Sequence, residues 1–231
     1  MVFVRECVEQ VRKTAEAACL KAERNPKDLR IVAISKGIDP GRIREVFNAG
    51  ISDMGENYLQ EFLLKKDLLK DLPIIWHFTG HVQTNKAEDI AGYFSFIHSL
   101  DSLKLAETFN EIAEKKKNKI PVLIQVKIGR ETGYGFLVPE LLNSIHQLKK
   151  MEGLELRGLM MMAPPVSNPD LARPYFKRTK ELFLQLKPSF GNSFSEISMG
   201  MSSDFSAAIE EGATIIRIGK AIFGEKVPIK K

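Results

Sequence analysis

Only two of the 231 residues are cysteine, and both Cys7 and Cys19 lie in the first helical stretch without metal-ligand spacing. That scarcity excludes a disulfide framework and a cysteine-based zinc module, and the pair reads as reduced thiols of a cytoplasmic protein. No apolar run approaches the ~18 residues of a membrane span. The opening MVFVRECVEQVRKTAEAACL is broken by Glu6, Glu9 and Glu16, so it lacks the apolar core of a signal peptide. Charge of one sign is also in short supply: 34 basic against 29 acidic residues leave a net charge of only +5. Lys115, Lys116 and Lys117, like Lys230 and Lys231, read as solvated helix and tail ends. No basic face with interleaved aromatics is present, so nucleic acid is not expected as a partner, and neither is a membrane. A Walker loop, a dinucleotide glycine fingerprint and a Ser-His-Asp order are missing too. Asp53-Met-Gly-Glu56 has one strand-end carboxylate and no partner at glycosidase spacing.

What is present is a regular α/β alternation in a chain that is 44% hydrophobic. Leu29-Arg-Ile-Val-Ala-Ile-Ser-Lys-Gly37 reads as a buried parallel strand with Lys36 at its carboxyl end. Ligands bind at that end of parallel sheets, and a lysine partly desolvated there is pushed toward the nucleophilic amine. The same spacing also suits a surface lysine that merely follows a strand. Further strands are predicted at 51–56, 74–80, 94–100, 122–128, 154–162, 197–200 and 214–219. An amphipathic helix at about 2–24 comes first, and a second starts at Asp39-Pro40 and closes at Gly50. Others are predicted at about 58–70, 83–92, 102–117, 139–151, 170–187 and 203–211. Eight βα units without a linker predict a single domain over 1–231, a closed (β/α)8 barrel with an extra N-terminal helix.

Two loops stand out on the carboxyl side: the proline-stiffened 163–169 and the glycine-rich 129–136. Ile197-Ser-Met-Gly-Met-Ser-Ser-Asp204 and Ile215-Ile-Arg-Ile-Gly-Lys-Ala-Ile-Phe-Gly224 end the last two strands. Small residues at helix starts there suit a phosphate, although capping by Ser202, Ser203 and Asp204 would use the same donors. Arg217, inside an apolar strand, needs either a carboxylate such as Glu56 or a ligand ring nitrogen at the barrel mouth. His77 and His81 would share a strand face, but no third metal ligand accompanies them, and no metal is expected. His98 and His146 read as an ordinary strand-end and an ordinary helix residue. Met160-Met161-Met162 reads as adaptable packing whose end could cover a flat ring.

In order along the chain come Ala33-Ile-Ser-Lys36, Gly55-Glu-Asn-Tyr58, Trp76-His-Phe-Thr-Gly80 with Gln83-Thr-Asn-Lys86, and Arg157-Gly-Leu-Met160. Ser198-Met-Gly-Met-Ser202 and Arg217-Ile-Gly219 with Ile222-Phe-Gly224 follow. This set closely resembles the pyridoxal phosphate homeostasis proteins, which are similar in turn to the N-terminal barrel of alanine racemase. The resemblance implies pyridoxal 5′-phosphate held as an aldimine on Lys36, with Asn57 near it and Met162 over one ring face. It places Ser202, Gly219 and Lys220 on the phosphate, Arg217 at the pyridine nitrogen, and Ser198 and Gly200 within the binding motif. Two positions depart from the family pattern: Gly133 lies where a lysine is usual nearby, and Lys220 where threonine is common. The implied role is an intracellular, monomeric buffer that hands the cofactor to apo-enzymes. Racemisation needs a second acid/base, which alanine racemase takes from a β-domain that this sequence does not show. A slow racemase and a barrel enzyme acting on a sugar phosphate are the rival readings.

Overall fold

The computed structural model describes residues 3–129 and 133–224. The centre of the 129–136 loop and the Lys230-Lys231 tail lie outside those residues. Helix α1 (Val4–Lys21) buries Val4, Val8, Val11, Ala15 and Ala18 along one face. It stops short of residue 24 because Glu23 turns left-handed at φ 54°. A 3-10 turn at Pro26–Asp28 then leads into β1 (Arg30–Ile34). Asp39 caps α2 (Pro40–Asn48) by accepting from Arg42 N–H, and Gly50 leaves the helix at φ +91°. The chain goes on through β2 (Asp53–Glu56), α3 (Leu59–Lys66), β3 (Ile75–Phe78), α4 (Ala87–Tyr93) and β4 (Phe96–Leu100). Next come α5 (Leu103–Lys116), β5 (Ile120–Lys127), β6 (Phe136–Leu137), α6 (Val138–Lys149) and β7 (Leu154–Met160). The last elements are α7 (Arg173–Phe190), β8 (Glu196–Ser198), α8 (Phe205–Glu210), β9 (Ile215–Ile218) and α9 (Lys220–Phe223).

Strands β1-β2-β3-β4-β5-β7-β8-β9 pair in that cyclic order, all parallel, and the β1–β9 and β4–β5 pairings close the ring. This is the eight-stranded barrel that the alternation predicts, with each strand found within three residues of its expected bounds. The sequence does not signal β6, a two-residue strand paired with Val126 and Lys127 at the carboxyl end of β5. Most of the core lies between strands and helices. A smaller cluster, Val32, Phe96, Leu123, Met160 and Ile215, fills the bore with help from Ile34. The bore also admits buried polar side chains, His77, His98, Ser198 and Arg217 among them. Among the described residues no helix is long and apolar enough to cross a membrane.

Candidate functional site

The backbone around Lys36 is clamped from outside the barrel. Ser35 N–H extends the β1–β2 ladder by donating to Gly55 O (2.9 Å), and Gly37 turns the chain at φ +68°. Ser35 Oγ donates to Glu56 Oε1 (2.7 Å), while Lys65 Nζ from α3 donates to the same carboxylate oxygen (2.8 Å) and to Ser35 O (2.9 Å). Gly37 N–H donates to Glu61 Oε2 (2.7 Å), so both neighbours of Lys36 are held by one acidic–basic cluster. Burial pushes the Glu56 carboxyl above its usual range, and the Lys65 ammonium offsets only part of that rise.

Lys36 shares a cavity of about 420 Å³ with Ile34, Ile38, Gly219, Lys220 and Phe223. Two loops meet at its edge. Arg217 N–H donates to Gly200 O (3.0 Å), and Ala221 N–H donates to Ser202 Oγ (3.1 Å), which ties the loop after β8 to the start of α9. Gly200 sits at φ +92°, and a Cβ there would lie 2.6 Å from Ala208 Cβ, so only glycine fits this corner. Asp204 accepts from Met201 N–H (2.6 Å) inside the loop and makes no side-chain cap on α8. The lining, two lysines with the apolar Ile34, Ile38 and Phe223 beside a glycine turn, fits a small phosphorylated aldehyde.

Asn57 and Met162 line a neighbouring cavity of about 500 Å³, together with Thr79, Gly80, His81 and Tyr134. Asn57 Oδ1 accepts from Thr79 Oγ1 (2.9 Å). Gly80 makes that approach possible, since a Cβ on it would stand 2.1 Å from Asn57 O. Lys36, Gly219 and Lys220 share the first cavity, Asn57 and Met162 the second, Gly200 and Ser202 the connecting loop, and Ser198 and Arg217 the bore.

Three expectations need correction. Glu56 does not pair with Arg217: Glu56 faces outward to Lys65, whereas Arg217 Nη1 donates to Ser198 Oγ (2.6 Å) and Nη2 to Met161 O (2.8 Å). Burial pulls the Arg217 guanidinium down to about 10, against the attraction of Asp204. His77 and His81 share no face, because β3 ends at Phe78. His81 instead lies over Tyr134, with ring centroids 3.6 Å apart, and its Nδ1 meets Asp101 Oδ2 at 2.9 Å. His98 is no strand-end residue either; it lies mid-strand in the bore, fully buried between His77 and Ser198. No group of three metal-ligating side chains occurs among the described residues.

Burial, reinforced by His77 and Arg217, holds the His98 imidazole well below its usual 6.5. The unfolded chain thus binds a proton that the folded chain refuses. Stability is expected to fall as pH drops below 6.5, by about 1.4 kcal/mol per pH unit. Urea midpoints of wild type and His98→Gln between about pH 5 and 7.5 check this, with the slope flattened in the variant.

Residues 13–227 match the family model described as alanine racemase, N-terminal domain. The chain is 40% identical over 222 residues to a pyridoxal phosphate homeostasis protein of Aquifex aeolicus, covering 96% of this chain and 97% of that one. It is 37% identical to the protein of the same name in Pseudomonas aeruginosa, covering 98% and 97%. Among solved structures, PipY of Synechococcus elongatus with PLP bound superposes with a TM-score of 0.80 at 35% identity, covering 91% of this chain and 100% of that one. An alanine racemase of Bartonella henselae shares the fold at 17% identity and a TM-score of 0.70, covering 97% of this chain and 60% of that one.

Proposed function

The chain belongs to the pyridoxal phosphate homeostasis proteins, within the alanine racemase N-terminal domain family, and from that premise we propose that it binds pyridoxal 5′-phosphate and serves vitamin B6 homeostasis. The observation that carries this reading is that Lys36 and Lys220 line one cavity at the carboxyl ends of β1 and β9. Lys36 Nζ holds the aldehyde carbon covalently and reversibly. Lys220, Gly219 and the Ser202 loop take the phosphate, and Ser198 and Gly200 shape the wall behind it. Arg217 faces the ring nitrogen, and Asn57 and Met162 border the open side. The cofactor, when bound, supplies an electrophilic aldehyde and an electron-withdrawing ring. A guanidinium is a poor proton donor to that ring, which weakens its pull on electrons, but racemases tolerate an arginine there, so this residue alone does not separate holding from turnover. Residues 1–231 act as one cofactor-binding domain, in the cytoplasm and as a monomer, buffering a reactive aldehyde and passing it to apo-enzymes.

One observation favours a second reading, slow amino-acid racemisation. The Asp101-supported His81 on the Asn57–Met162 cavity is placed as an acid/base group. Sustained α-proton exchange of D- and L-alanine by the holo-protein, lost in His81→Phe, would establish it over the carrier reading.

The test of the main reading is the absorption spectrum of wild type and Lys36→Ala, before and after borohydride. A yellow wild type whose cofactor is fixed by reduction, beside a folded variant with no fixed adduct, is the expected result. A wild type that stays colourless with added pyridoxal phosphate overturns the reading.

A further inference from the structure

Five polar groups meet end to end inside the barrel. Asp53 Oδ1 lies 2.9 Å from His77 Nε2, and His77 Nδ1 lies 2.9 Å from His98 Nε2. His98 Nδ1 lies 3.0 Å from Ser198 Oγ, which Arg217 Nη1 approaches to 2.6 Å. The groups come from β2, β3, β4, β8 and β9, so the chain climbs one wall and then crosses the bore. Branched apolar side chains ordinarily fill such a bore in layers. Polar groups there cost free energy unless each is satisfied, and a half-satisfied network is worse than none.

The chemistry of the donors fixes the direction. A guanidinium only donates, so Ser198 Oγ accepts from Arg217 and sends its single proton to His98 Nδ1. Neutral His98 then carries its proton on Nε2 and donates to His77 Nδ1. His77 carries its own on Nε2 and donates to the Asp53 carboxylate. Every donor and acceptor is matched, whereas the reverse direction leaves the Ser198 proton without an acceptor among the described residues. At the lower end Asp53 also accepts from Ser52 Oγ (3.1 Å) and faces Arg30 Nε (3.6 Å). At the upper end Asp204, from the loop after β8, acts on Arg217 electrostatically.

We propose that Asp53, His77, His98 and Ser198 are positioning residues that hold Arg217 through a one-way chain of hydrogen bonds. The chain orients successive donors from the guanidinium toward the Asp53 carboxylate at the opposite end of the barrel. The inference rests on the pyridoxal phosphate reading in one respect, that the ring nitrogen is what Arg217 is held for. Asp53 borders a separate cavity of about 530 Å³, with Arg12, Arg30 and Glu196, at the amino ends of the strands. The chain therefore makes the cofactor sensitive to a residue that cannot touch it.

Two measurements test the chain. In apo-protein with 15N-labelled histidine, the imidazole shifts at neutral pH are expected to report His77 and His98 as neutral, each protonated on Nε2. A proton on Nδ1 of either ring, or a doubly protonated His77, overturns the direction. The second measurement is pyridoxal phosphate affinity, read by absorption, for Ser198→Ala, Asp53→Asn and the double variant. Ser198→Ala is expected to weaken binding about tenfold, and Asp53→Asn, which keeps an acceptor oxygen, about threefold. The double variant should be no weaker than Ser198→Ala alone, because the chain is already cut. Losses that multiply would mean two unconnected local effects and would sink the proposal. If wild type binds no pyridoxal phosphate, the cofactor reading falls, while the histidine spectra still decide the chain.

Discussion

Lys65→Met is expected to lower stability by about 3–5 kcal/mol, the range for removing one partner of a buried ion pair. Glu56 is fully buried, and its Oε2 has no hydrogen-bond partner among the described residues, so its charge depends on Oε1. That oxygen accepts from Lys65 Nζ (2.8 Å) and Ser35 Oγ (2.7 Å). Without the ammonium, burial is opposed only by the Ser35 hydroxyl, and the carboxyl is driven further up. A carboxyl raised in the folded state binds more protons there than in the unfolded chain, so stability falls as pH rises above the ordinary 4.5. Denaturant titrations of the variant should accordingly show a larger loss at about pH 7 than at pH 5. Adding Glu56→Gln should recover part of the loss, since no uncompensated charge then remains. A second readout follows from Lys65 Nζ donating to Ser35 O (2.9 Å), next to Lys36. Under conditions where the variant is folded, the yield of borohydride-fixed cofactor should drop with stability. A loss below about 1 kcal/mol would show that the pair is solvated in solution and braces nothing.

The exclusion of Glu56, one of the two partners open to Arg217, shows where sequence reading meets its limit in this fold. In a closed parallel barrel both faces of each strand are buried, so hydropathy does not mark which side chain points inward. Glu56 and Arg217 are both charges in apolar strands, yet Glu56 lies on the outer face against α3 and Arg217 on the inner one. Gly55 gives a parity signal, because its missing Cβ leaves room for Ile34 and Val32, which places Gly55 and Asp53 inward. His77 is registered opposite Gly55, so alternation carried along β2 and β3 could have found it. Local pattern does fix the eight strands and Lys36, since an apolar run and its end lie within a few residues of each other. The Asp53–Arg217 chain joins five strands up to 164 positions apart by sequence number. No spacing rule links them, and only the closed ring brings His98 against Ser198.

Gly158→Ala is expected to be the most damaging single-methyl addition to the barrel wall. Gly158 sits at φ +151°, and an added Cβ would fall 1.8 Å from Glu196 O and 2.7 Å from its carbonyl carbon. Those atoms are backbone, so no rotamer change relieves the clash; β7 and β8 must part at the Gly158–Glu196 pairing. The position is already irregular. The β5–β7 register shifts there, with Val122 facing Leu156 and Leu123 facing Gly158, so Arg157 is the extra residue of a bulge. Steric strain and the unfavourable φ together should cost about 3 kcal/mol or more. The displacement should also travel along β8, where Ser198 follows Glu196 by two residues and holds Arg217 at 2.6 Å. Gly158→Ala should therefore alter the 15N shifts of His98, although residue 158 belongs to none of the hydrogen-bonded groups. Gly191→Ala is the control, since it shares a positive φ and meets nothing within 4 Å. It should lose stability through backbone strain alone and leave the histidine spectrum unchanged. Equal stability losses in the two variants, with His98 unmoved in both, would show that β8 yields freely and that the wall does not set the position of Ser198.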